Sequence, residues 1–137
     1  MKPNNTNVQH LNKREFKEKI FDYSFSKDWK YKGEQPAVID FYADWCAPCK
    51  MVSPVLDDLS VEFAGKVKFY KVNTEKDPEV AKVFGVSSIP TLLFIGMTGK
   101  PMVMRGAQSR QSLKSNIEKI LPKEEKRFLE KLVSFKW

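Results

Sequence analysis

Cys46 and Cys49 are the only cysteines in the 137 residues, and they stand three positions apart in Trp45-Cys46-Ala47-Pro48-Cys49-Lys50. A pair so spaced can be a structural bridge, half of a zinc site or a redox couple. A structural bridge stabilises chiefly by closing a long loop, and this loop is very short. Zinc needs four ligands, and the one other soft candidate, His10, lies far off in a polar N-terminal stretch. Thiol–disulfide exchange needs a thiolate at working pH, a sulfur open to attack, and a second thiol close enough to expel the bound substrate. The spacing favours that chemistry, although a Cys-x-x-Cys alone is weakly specific.

The surrounding elements must supply the thiolate. Ala37 to Tyr42 is a short β-favouring run that reads as a buried central strand leading straight into the cysteines. After them Val52, Val55, Leu56, Leu59 and Phe63 recur at helical spacing, with Gly65 as a stop and Pro54 inside, where it removes a hydrogen bond and should kink the helix. Cys46 then sits at a helix N-terminus, where unpaired N–H groups and the helix dipole lower a thiol pKa. Cys49, one turn on, should be less exposed and act as the resolving thiol. Pro48 restricts the backbone between them and is acceptable in a first helical turn. Asp40 interrupts the apolar strand. A carboxylate buried there demands a partner or a raised pKa, unless it faces solvent.

The rest of the chain reads as alternating elements. Residues 1–10, Asn-rich and poor in apolar groups, look like a flexible leader. Asn12 and Glu15 match a capping box, and Phe16, Ile20 and Tyr23 keep helical spacing. Phe25 to Gln35 reads as a turn-rich connection. Val67 to Val72 is a strand; Asp77-Pro78 then caps a short helix carrying Val80, Ala81 and Phe84 and closed by Gly85. Thr91 to Ile95 and Met102 to Arg105 form a hairpin. Ser109 caps a helix with Leu113, Ile117, Ile120 and Leu121 on one face, ended by Pro122. The tail, residues 122–137, should be helical. Its apolar face, Phe128, Leu129, Leu132, Val133, Phe135 and Trp137, should dock on the domain's own core, the other reading being a partner or dimer contact.

With 42% hydrophobic and 12% aromatic residues the chain suits one compact domain. No apolar stretch approaches a membrane span, and residues 1–7 are polar, without a signal-peptide core. The net charge of +7 is spread among 17 acids, as on solvated helix faces. No zinc-finger spacing, RNA-binding signature or basic block points to nucleic acid.

The element order and several separated motifs resemble thioredoxin, over about residues 11–121. Val38-Ile39-Asp40-Phe41-Tyr42-Ala43-Asp44-Trp45-Cys46-Ala47-Pro48-Cys49-Lys50 looks like the family's active-site segment, with Asp40 at its buried acid and Pro54 at its helix-kink proline. Lys71-Val72-Asn73 places Lys71 at the family's lysine near that acid. Ser88-Ile89-Pro90-Thr91 resembles the loop whose proline is cis and faces the disulfide, and Gly106-Ala107 the nearby glycine turn. Two departures stand out: Ala47 replaces the common glycine, in a dipeptide that tunes the redox potential, and the leader, the connection before Ala37 and the tail are additional.

The resemblance implies an α/β thioredoxin fold, a central mixed β-sheet flanked by helices, here with an added C-terminal helix. It implies a catalytic set of Cys46, Cys49, Asp40 and Lys71, with Asp40 exchanging a proton with Cys49 and Lys71 tuning it. Trp45, Ala47, Pro48, Ile89, Pro90, Gly106 and Ala107 would form a flat substrate-binding rim, although Trp45 could equally be core packing. The implied activity is reduction of protein disulfides, with no metal or bound cofactor. Implied partners are disulfide-containing client proteins and a reductase or membrane electron donor, with the chain a monomer in the cytoplasm. A signal peptide removed ahead of residue 1 would make it periplasmic or extracytoplasmic. An extracytoplasmic oxidase or isomerase is the nearest alternative, and Ala47-Pro48 argues against it because such proteins usually carry a histidine there. A redox-silent interaction module would have little use for Cys46, Cys49, Asp40 and Pro90 together.

Overall fold

The structure, a computed structural model, describes residues 5–135. Five strands, β1 (Val8–His10), β2 (Ala37–Tyr42), β3 (Lys68–Asn73), β4 (Thr91–Ile95) and β5 (Met102–Arg105), form one sheet in the order β1-β3-β2-β4-β5. β1 and β2 each run parallel to β3, which lies between them; β4 runs antiparallel to β2, and β5 to β4. The helices are α1 (Lys13–Lys19), α2 (Ala47–Glu62), α3 (Pro78–Val83), α4 (Arg110–Ile120) and α5 (Lys123–Phe135). The result is the expected mixed sheet between helices, with a further C-terminal helix.

Because side chains alternate across a strand, β2 feeds two cores. Ile39 and Phe41 pack with Phe16 and Ile20 near α1 and with Val80 of α3. Val38 points the other way and packs with Val52, Leu56 and Leu59 of α2 and Leu113 and Ile117 of α4. Asp40 shares the parity of Val38 and therefore lies under α2. In register beside it stands Lys71, which shares the parity of Phe69, a member of that same core.

The leader expectation is corrected at residues 8–10. They form an edge strand because backbone pairing with β3 does not depend on apolar side chains: Val8, Gln9 and His10 stand opposite Phe69, Tyr70 and Lys71. Asn7 adds an anchor, its N–H donating to Ser60 Oγ at 2.9 Å. His10 is thus brought into the sheet, opposite Lys71.

The capping box of α1 is present, Asn12 Oδ1 accepting from Glu15 N–H at 2.8 Å and Glu15 Oε1 from Asn12 N–H at 3.2 Å. Tyr23 lies beyond that helix, yet its ring still packs beside Phe16. Asp77 precedes α3 without a side-chain cap bond there; its Oδ1 accepts instead from Lys13 N–H at 3.0 Å, tying α3 to the first turn of α1. The tail divides between its two readings. Leu129 packs against the α2/α4 core, whereas Phe128 and Leu132 remain 53% and 46% exposed. Lys66 joins the two by pairing with Glu125 at 3.4 Å and lying 5.7 Å from the Phe128 ring centre. The side chains of Val133 and Phe135, and all of Trp137, fall outside the described residues.

Candidate active site

β2 ends at Tyr42, and a tight turn, closed by Cys46 N–H donating to the Ala43 carbonyl at 3.2 Å, delivers Cys46 to the N-cap of α2. Cys46 and Cys49 form a disulfide. Cys49 N–H donates to Cys46 Sγ at 3.2 Å, so one of the helix's unpaired donors already points at the sulfur that would carry charge after reduction. Pro48 falls in the first turn, where its missing N–H removes nothing. Pro54 lies inside α2, which runs on to Glu62.

The expected difference in exposure between the cysteines is absent in the disulfide form: each is 3% exposed. Both are enclosed by Ala43, Tyr42 and Ile89, so position on the helix, rather than accessibility, separates them. Around the sulfurs Trp45, 69% exposed, belongs to the surface rather than the core. Ala47 and Pro48 are exposed, Ile89 half-buried and Pro90 buried. The Ile89–Pro90 peptide is cis, and the Pro90 carbonyl accepts from Gly106 N–H at 2.8 Å. Gly106 has φ +87°, a conformation that favours glycine, and that turn brings Ala107 to the surface.

Beneath the disulfide, a cleft of about 170 Å³ is lined by Asp40, Cys49, Lys50, Ser53, Lys71 and the Tyr42–Asp44 turn. Asp40 is fully buried, and neither carboxylate oxygen has a hydrogen-bond partner among the described residues. Desolvation raises its pKa to about 7, against the opposing pull of the Lys71 charge. Lys71 Nζ donates to Ser53 Oγ at 2.9 Å and lies 4.7 Å from the Tyr42 ring centre. The structure therefore brings Asp40, Lys71 and Cys49 to one cleft, and Ile89 to the cysteines.

The residues that sequence reading missed here are Tyr42, Ser53 and Asp44. Ser53 was legible in principle, one turn after Cys49 on the same helix face. Tyr42 reads simply as a strand residue until β3 brings Lys71 beside it.

Comparisons with known proteins agree with this geometry. The sequence model of the family described as Thioredoxin matches residues 7–119. A thioredoxin of Borreliella burgdorferi is 47% identical over 96 residues, 70% of this chain and 82% of that protein. A Synechocystis thioredoxin is 40% identical over 102 residues, 74% and 94% respectively. Thioredoxin M2, chloroplastic, of Arabidopsis thaliana is 44% identical over 92 residues, 66% of this chain; the chain spans about half the length of that relative. Motif, sheet order and relatives converge, and the chain belongs to the thioredoxin family of thiol–disulfide oxidoreductases.

Proposed function

We propose that this chain reduces protein disulfides, with Cys46 as attacking and Cys49 as resolving thiol. The Cys46 thiolate attacks one sulfur of a client disulfide; that S–S bond breaks, and one client thiolate leaves. The Cys49 thiol then gives its proton to the Asp40 carboxylate and attacks Cys46 Sγ. The Cys46–Cys49 disulfide forms and the second client thiolate is released. Two electrons pass to the client, and the chain ends oxidised.

The observation that carries this reading is Asp40: a buried carboxyl without a hydrogen-bond partner among the described residues, lining the same cleft as Cys49, with a pKa of about 7. Such a group can hold or release a proton near neutral pH. Lys71 sets its proton affinity through charge. Trp45, Ala47, Pro48, Ile89, Pro90, Gly106 and Ala107 form the rim on which an extended client segment rests.

A reductase or membrane electron donor recharges the disulfide, and the chain works as a monomer in the cytoplasm. No described helix is long and apolar enough to cross a membrane. The test is the equilibrium of the Cys46–Cys49 couple against glutathione buffers, where about 30 mV corresponds to about 1.4 kcal/mol. A strongly reducing potential supports the reductase; one near the oxidising end of the superfamily would replace it with an oxidase.

A further inference from the structure

We infer that Tyr42 and His10 are positioning residues that hold the Lys71 ammonium at the cleft leading to Asp40. This rests on the proposed role of Lys71 in setting the proton affinity of Asp40. The Lys71 side chain is fixed from two sides: Nζ donates to Ser53 Oγ at 2.9 Å and stands 4.7 Å from the centre of the Tyr42 ring, within cation–π range. The Tyr42 ring is in turn fixed at its far end, its hydroxyl 3.3 Å from His10 Nδ1 and the two rings meeting edge to face at 6.0 Å. The sheet builds this chain of contacts: β1 sets His10 opposite Lys71, and β3 sets Lys71 opposite Asp40.

The protonation states suit a Tyr42 hydroxyl that donates to His10. Burial, then the charges of Asp44 and Asp40, raise the Tyr42 pKa, while Asn73 opposes them. Partial desolvation of the ring and the Lys71 and Lys76 charges lower that of His10, Asp44 opposing, so near pH 7 the ring is neutral and Nδ1 can accept. A lysine is a flexible point charge on four methylenes. Without the ring beneath it the ammonium can swing into solvent, where its pull on Asp40 is weaker.

The experiment follows the Asp40 carboxyl carbon by NMR through a pH titration of the oxidised protein, in which the cysteines do not titrate; Asp40→Asn assigns the signal. Lys71→Met should move the Asp40 midpoint upward by about one pH unit, and Tyr42→Leu by about half a unit. His10→Asn, an exposed change less disturbing to the fold, should move it the same way by less. In the Lys71→Met background neither second substitution should add a further shift, since both act through Lys71. A Tyr42 or His10 effect that persists without Lys71, or no effect from either, would overturn the inference while leaving the role of Lys71 intact. No shift on Lys71→Met would remove the reading on which it stands.

Discussion

Among the regions that present large apolar side chains to solvent, the rim at the start of α2 and the outer face of α5 are unlike underneath. Trp45 lies next to a disulfide above a buried carboxyl that has no hydrogen-bond partner among the described residues. Phe128 lies over a lysine that is already paired with Glu125, and beside Leu129, which packs on the core. Exposure of apolar groups is therefore no guide to chemistry here. What distinguishes the rim is polar material placed where water is scarce. Burying a carboxylate in this way is costly, and among the described residues Asp40 alone has buried side-chain polar atoms without a hydrogen-bond partner.

The sharpest test of the contrast is removal of each sulfur. Cys46→Ser should lower disulfide reduction by at least about a thousandfold, since the nucleophile is gone. Cys49→Ser should leave attack possible and abolish resolution, so mixed disulfides through Cys46 should accumulate on non-reducing gels and by intact mass. Trapping that required Cys49 and survived loss of Cys46 would reverse the two roles.

Next in size is Asp40→Asn, which should slow release of the client by about a hundredfold while leaving the first attack nearly unchanged. In the fold Asp40 titrates near 7 rather than near 3.8. Between those values the folded chain keeps a proton that the unfolded chain has released, so stability falls as pH rises and levels off above about 7. The amide variant should therefore gain on the parent across that window, by up to about 4 kcal/mol at pH 8, and by little near pH 4. Rapid-mixing kinetics with a protein disulfide and denaturant melts at both pH values would measure the two effects. Unchanged resolution with lower stability would make Asp40 a structural residue.

Smaller effects should attend α5. Ending the chain at Pro122 should keep disulfide reduction within about twofold and lower Tm by a few degrees, because truncation mainly removes the packing of Leu129 on the α2/α4 core. A folded truncation without activity would extend the site to the tail, and a fall in native mass beyond the deleted residues would reveal a dimer interface. Smallest of all, Leu129→Ala should cost about 1–2 kcal/mol in a denaturant melt, and Phe128→Ala about 0.5 or less. Equal losses would erase the distinction between the inner and outer faces.

Most elements were legible because local signals agreed. The boundaries of β2, β4 and β5 follow their apolar runs, and the caps at Asn12 and Ser109 bond as their sequence implies. The misreadings share a cause. β1 is held by backbone pairing with a distant strand, which leaves no trace in the polarity of Val8-Gln9-His10. Asp77 resembles an N-cap, but its carboxylate is taken by the neighbouring helix. In the site, the cysteines and the acid could be found from type and spacing. The meeting of His10, Tyr42 and Ser53 around Lys71 could not, since β1, β2, β3 and α2 come together there only in the folded chain.

The placement of β1 also bears on how the chain assembles. Val8 pairs with Phe69, roughly 60 residues downstream, so β1 has no partner until β3 exists. Closing so long a loop is entropically unfavourable, and three residues of ladder offset little of it. The N-terminal strand should thus be among the last parts to settle. Until then the outer edge of β3 remains open to pairing with another chain, and Asn7 bound to Ser60 is the clasp that ends this interval.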